Sequence, residues 1–264
     1  MIKLLRSNLK RIIASKTFWI CSAVYILYGL IWSIVLFAIG ENVGVDIRSS
    51  EYPFANYGLS GSPFTGIIIM IFLCVIMSAD FTNNAIRNKI LMGYSKGQIY
   101  ISNLLAFSVC AIVLNLIYLL ITLAFFFGST ASSSVLWHWL DKSELIQTLL
   151  WTIFYNILNV LLYVSFYTMI TMIVKNAVAT ITTGTALSVL AIFISWIVLV
   201  NDIEPLEFLY FYPTGIDAMI ANSLLIISSM ISRTYFIGPI SIVIIYIILT
   251  TTIGLLVFKK SNIK

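Results

Sequence analysis

Apolar residues along this chain gather into long unbroken runs separated by short polar stretches, the pattern of helices that cross a bilayer. The runs fall at about Phe18–Ile39, Phe64–Ala79, Leu104–Phe127, Leu149–Val174, Val178–Val200 and Ile237–Phe258. Each approaches or exceeds the ~20 residues with which an α-helix spans ~30 Å of hydrocarbon. The second is the shortest, and the neighbouring Phe81 extends it. A further apolar stretch, Leu224–Ile231, is too short to cross and is read as an interfacial or re-entrant helix. The pattern predicts an all-α polytopic membrane protein with six spans in one transmembrane domain.

Ahead of the first run, Ile2, Leu5, Leu9, Ile12 and Ile13 recur at helical spacing, with Lys3, Arg6, Lys10, Arg11 and Lys16 around the rest. Residues 1–17 therefore predict an amphipathic helix lying on the membrane before the first span. The alternative is a solvated basic tail that only fixes orientation. The apolar run that follows is too long for a signal-peptide core and precedes no small-residue cleavage site, so this segment is expected to be retained.

Composition agrees with a lipid environment. Hydrophobic residues make up 61% of the 264 residues, charged residues only 9%, and the mean hydropathy is +1.05. A soluble domain carries roughly 25% charged residues, so there is too little ionic surface here to coat a water-facing exterior. The net charge of +5 matters less than its placement. With an even number of spans both termini share one side. That side holds Lys3, Arg6, Lys10, Arg11, Lys16, Arg87, Lys89, Lys96, Lys175, Lys259, Lys260 and Lys264, and the other only Arg48, Lys142 and Arg233. Basic residues stay on the cytoplasmic side during insertion, so both termini are expected in the cytoplasm. Glu41, Asp46, Glu51, Asp141, Glu144, Asp202, Glu204, Glu207 and Asp217 then lie outside and Asp80 inside.

The middles of the spans hold no Asp, Glu, Lys, Arg or His, where one Asp, Lys or Arg would cost ~2.5–3.5 kcal/mol on the insertion scale. Ion-coupled carriers keep such groups or broken helices for the coupling ion, so uphill transport by this chain would need energy from another polypeptide. Neither a GxxxxGK[ST] phosphate loop nor a GxGxxG fingerprint occurs, and no cluster of acids, His and Cys suggests a reaction. Cys21, Cys74 and Cys110 sit at unrelated spacings inside apolar runs and read as small buried hydrophobes, neither a disulfide framework nor a metal site. His138, between Trp137 and Trp139, reads as part of an interfacial aromatic belt.

The segment between the second and third spans is patterned beyond the needs of a solvated turn. Phe81, Ala85, Ile86 and Ile90 share one helical face, Arg87 and Lys89 point elsewhere, Gly93 is a stop, and Ser95 and Gln98 stand at capping-box spacing for a new helix. A short helix across the membrane face, broken from its neighbours by glycines, is expected within residues 80–103. The alternative is an ordinary basic loop with no partner.

These residues resemble the membrane subunit, or permease, of a type-2 ABC exporter. Asp80 stands where such permeases commonly have an acid ending the second span, Arg87-Asn88-Lys89-Ile90-Leu91 resembles their basic stretch, and Gly93-Tyr94-Ser95-Lys96 the turn into a coupling helix. Asn84-Ala85 stands where the family often has Gly-Thr, and Lys96 replaces a frequent Arg. The likeness extends to the layout of the whole chain. It implies a permease domain over residues 1–264, a cytoplasmic coupling loop at 80–103 and an outer re-entrant segment at 201–236 that closes the exit path. A plain interfacial loop with aromatic anchors is the alternative for that outer segment. Arg87, Lys89, Met92, Gly93, Tyr94, Ser95 and Lys96 would contact the ATPase subunit. ATP and Mg would be bound by two separate ATPase subunits, with no cofactor, metal or nucleic acid on this chain.

Small residues recur at Thr180, Gly184 and Ser188 on the fifth run and at Gly29 and Ser33 on the first. This is a helix-contact device that serves either a dimer seam or packing within one subunit. Asn115, Asn156 and Asn159 are the strongest polar groups within spans and are expected to bond to neighbouring helices. The functional expectation is a permease in the bacterial plasma membrane, paired with a second copy or a related permease. It would export an amphipathic or cationic peptide such as a toxin, a bacteriocin or, as self-immunity, an antimicrobial peptide. A lipid, drug or polysaccharide cargo, and a sensor or anchor subunit that transports nothing, are the alternatives.

Overall fold

A computed structural model of the chain describes residues 1–43, 62–130, 143–176, 178–186, 189 and 234–261. His138, Ser188, the fifth apolar run beyond residue 189 and the outer segment up to residue 233, including Leu224–Ile231, lie outside the described residues.

The described residues are helical apart from short turns between the helices. In chain order the helices are α1 (Ile2–Ala14), α2 (Lys16–Val43), α3 (Ser62–Thr82), α4 (Ala85–Leu91), α5 (Lys96–Thr130), α6 (Ser143–Val174) and α7 (Thr234–Lys260), with a further helical stretch at 178–186 between α6 and α7. Five are long and apolar enough to cross a membrane, over Lys16–Val35, Thr65–Thr82, Lys96–Ala124, Ile153–Val174 and Ile240–Lys260. At 1.5 Å per residue, the 18-residue segment of α3 covers ~27 Å, close to the hydrocarbon thickness. The long helices are apolar around their whole circumference, so one flank packs on protein while Leu27, Ile31, Leu120, Ile245 and Leu256 face outward.

The helices form one packed bundle. α2 lies against α5 and α3, α6 against α7, α3 and α5, and α1 against the start of α5. Aromatic rings fill the interior, among them Tyr25, Tyr100, Tyr118, Tyr155, Tyr163 and Tyr167, all fully buried. Phe72 meets Phe107 edge-on, and Tyr163 stacks on Tyr167 one turn further along α6. Cys21, Cys74 and Cys110 are buried free thiols within this packing.

Polar caps mark the corners. Ser15 serves two helices: its hydroxyl donates to the Ile12 carbonyl at the end of α1 and accepts from the Phe18 amide at the start of α2. After α6 the chain turns through Lys175, in the left-handed region at φ 57°, and Asn176, whose side-chain oxygen caps the Val178 amide. The fourth and fifth predicted runs are thus joined by a tight corner. The short helix α4 is set off by Asn84 at φ 54° and by Gly93 at φ 89°. One break is therefore the expected glycine and the other an asparagine, the residue that with aspartate tolerates left-handed backbone best after glycine. The helix capped at Ser95 does not stop at the membrane face but continues without interruption into the third predicted run.

Candidate functional site

Among the described residues, the ion pairs lie where α1 meets the end of α3 and α4, beside the start of α5. Asp80 lies in the last turn of α3, its side chain only 5% exposed. A carboxylate there faces the negative end of the helix dipole and has lost its water, so it requires cations. Two supply it. Arg11 of α1 forms an ion pair with one carboxylate oxygen, and the Lys89 ammonium stands 3.9 Å from the other. Lys89 occupies the last turn of α4, where the dipole favours positive charge.

Lys89 also donates to the side-chain oxygen of Asn8 at 2.8 Å, and the Asn8 amide group donates to Ser102 Oγ at 3.0 Å and Asn103 Oδ1 at 2.8 Å. Asn8 is thus the hub that links α1 to α4 and α5. Burial first, then repulsion from Arg11, pulls the Lys89 ammonium down from its usual 10.5 to about 8. Burial likewise lowers the Arg11 guanidinium, which stays charged. Both cations thus face the single carboxyl group of Asp80.

Beyond α4 the chain projects an apolar tip. Leu91 and Met92 are 76% and 75% exposed, and a side chain on Gly93 would meet nothing within 4 Å. Arg87 is exposed beside them, while Tyr94 packs against the core. Ser95 and Gln98 form the capping box in full: the Ser95 amide donates to Gln98 Oε1 at 3.1 Å and the Gln98 amide to Ser95 Oγ at 3.2 Å. Lys96 reaches across the bundle end to donate to the Ser261 carbonyl at 2.8 Å and the Lys259 carbonyl at 3.2 Å. It caps the C-terminus of α7, and Tyr100 packs on Phe258 beneath it.

Of the seven loop residues singled out in the sequence, Arg87, Met92, Gly93 and Ser95 are exposed, Tyr94 and Lys96 partly covered, and Lys89 turned inward. The small residues of the spans meet the chain's own helices. A side chain on Gly29 would press on Tyr118 and Ile121 of α5, and one on Gly184 would overlap Met70 of α3. Ser33 and Thr180 are fully buried. At Gly29 and Gly184 the close approach is to helices of the same chain. Asn115 donates to Asn156 at 3.4 Å, tying α5 to α6.

Sequence reasoning placed Arg11 on the polar side of α1 and gave Asn8, Ser102 and Asn103 no role. One signal was present: Asn8 falls among Leu4, Leu5 and Ile12 on the apolar face of α1. An amide there needs a polar partner wherever that face docks.

This is an all-helical, multi-pass membrane protein with a buried ionic junction at one end of its bundle. It belongs to the DUF2705 family, described as protein of unknown function, which matches residues 37–264. No curated protein matches the chain.

Proposed function

We propose that this chain is the membrane-spanning permease subunit of an ATP-driven ABC exporter of the bacterial plasma membrane, with six spans and both termini in the cytoplasm. The observation that carries the reading is the α4 unit. A seven-residue helix between the second and third spans ends in an exposed apolar tip, Leu91-Met92, beside the cation Arg87, and is followed by a capped helix that runs straight into a span. A force applied at that tip passes to α5 through the capping box, to α3 and α1 through Lys89 and Asp80, and to α7 through Lys96. Such a unit suits a docking point for separate ATPase subunits that hold ATP and Mg, with closure of the ATPase pair driving a rigid-body switch of the spans.

A second copy or a related permease would complete the pathway. The spans lack charged groups in their middles, and the acids of the sequence concentrate on the side opposite the basic loops. Both features favour an amphipathic or cationic peptide as cargo, exported or expelled as self-immunity.

The test is co-purification from native membranes in mild detergent with mass spectrometry of what stays bound. A Walker-motif ATPase recovered near one copy per permease is the expected result. The chain emerging alone, under conditions that keep known transporter complexes intact, overturns the reading.

A further inference from the structure

We propose that the outward face of α1 is a docking surface for the headgroups of anionic membrane lipids, engaged by Lys3, Arg6 and Lys10. The inference is independent of the permease reading. Around its axis α1 divides into three sectors, at roughly 100° per residue. Leu4, Asn8 and Ile12 form the buried face, and α1 packs against α5. Ile2 and Ile13 come next around the cylinder, three turns apart, and are 83% and 47% exposed. Lys3, Arg6 and Lys10 take the remaining arc at spacings of three and four, all exposed.

Isoleucines bared beside a row of cations match the boundary between acyl chains and phosphates better than they match water. The next helix sets the level of that boundary. Trp19 is exposed in the first turns of α2 and, with Ile20, opens the outward apolar flank that continues through Leu27, Ile31 and Ile34. Tryptophan gathers at the headgroup level, and only Ser15 separates α1 from α2. The helix therefore lies at that depth with its cations beside the phosphates.

Among the described residues, Lys3, Arg6 and Lys10 make no ion pair. No acid occurs before Glu41, and the carboxylate under α1, Asp80, is taken by Arg11 and Lys89. A surface of net-negative headgroups attracts each such cation, whereas a zwitterionic surface has little net charge to offer. The same helix carries Asn8 and Arg11 on its other side. It is thereby held between the bilayer surface and the ionic junction.

The experiment reconstitutes the full chain in bilayers of equal phosphatidylcholine and phosphatidylglycerol, extracts it in mild detergent and counts retained lipids by native mass spectrometry. Phosphatidylglycerol should be enriched several-fold over phosphatidylcholine on the unaltered chain. The triple variant Lys3→Gln, Arg6→Gln, Lys10→Gln should lose that enrichment with an unchanged melting temperature, because the three side chains are exposed. The variant Lys259→Gln, Lys260→Gln, which removes cations outside α1, should keep it. Undiminished enrichment on the triple variant, or an equal loss on the Lys259/Lys260 variant, overturns the proposal.

Discussion

Asp80, in the last turn of α3, is neutralised by Arg11 from a helix that precedes it by one whole span. The pair fixes α1 against the junction of α3, α4 and α5, and Lys89 shares the same carboxylate. A buried ion pair is a weak source of net stability, but removing one member strands the others.

The substitution Asp80→Asn should therefore cost about 3 kcal/mol, by leaving Arg11 and Lys89 facing each other without a counter-charge. Thermal or denaturant unfolding in detergent measures the loss. The triple variant Asp80→Leu, Arg11→Met, Lys89→Met should recover most of it, since no charge then remains in the cluster.

Lys89 gives the fold a pH dependence of definite sign. Its folded value of about 8 lies below the usual 10.5, so between about pH 8 and 10.5 the unfolded chain binds more protons than the folded one. Stability contributed by this group rises through that window and is flat below it. The melting temperature of the unaltered chain should gain on that of Lys89→Met as pH rises from about 8 to about 10.5. Parallel curves for the two proteins would refute the assignment.

Gly254 lets α7 approach α5 and α6 closely. A side chain there would overlap the Tyr100 hydroxyl and lie 3.2 Å from the Met169 Cα. Gly254→Ala should destabilise by about 1–3 kcal/mol through overpacking. Adding Tyr100→Phe should restore part of this, because it removes the hydroxyl but leaves the backbone contact.

The capping box at the head of α5 should be worth about 1 kcal/mol. Ser95→Ala removes the acceptor for the Gln98 amide, and the first turns of α5 should fray. Hydrogen exchange at residues 97–100 should quicken, with little change deeper in the helix.

The spans were legible in the sequence because lipid imposes a length that no soluble helix must meet. All five described crossing helices contain most of a predicted run. The starts and ends were less legible. α5 begins at Lys96, eight residues before the apolar run expected at Leu104, because Gln98, Ser102 and Asn103 interrupt the hydropathy without interrupting the helix. There the capping residues located the start better than hydropathy did. The loop's short helix, its glycine stop and the capping box at Ser95 could be read locally, whereas the corner caps at Ser15 and Asn176 carried no expectation. The ionic junction could not, since Asn8 meets its partners across 81 to 95 residues and each partner alone resembles an ordinary interfacial polar group. Nor could the direction of Lys89. On the sequence it is one cation in a basic stretch, and only the carboxylate of Asp80 beneath it explains why it turns inward while Arg87 does not.

The clasp of Lys96 on the end of α7 bears on how the protein is made. Lys96 leaves the ribosome more than 160 residues ahead of the carbonyls it caps. Until α7 has entered the bilayer, the Lys96 ammonium lacks those acceptors and Tyr100 lacks the Phe258 ring that later covers it. The end of the bundle that carries α1 and α4 is thus incomplete through most of synthesis. Arrival of the last described helix is the event that closes it.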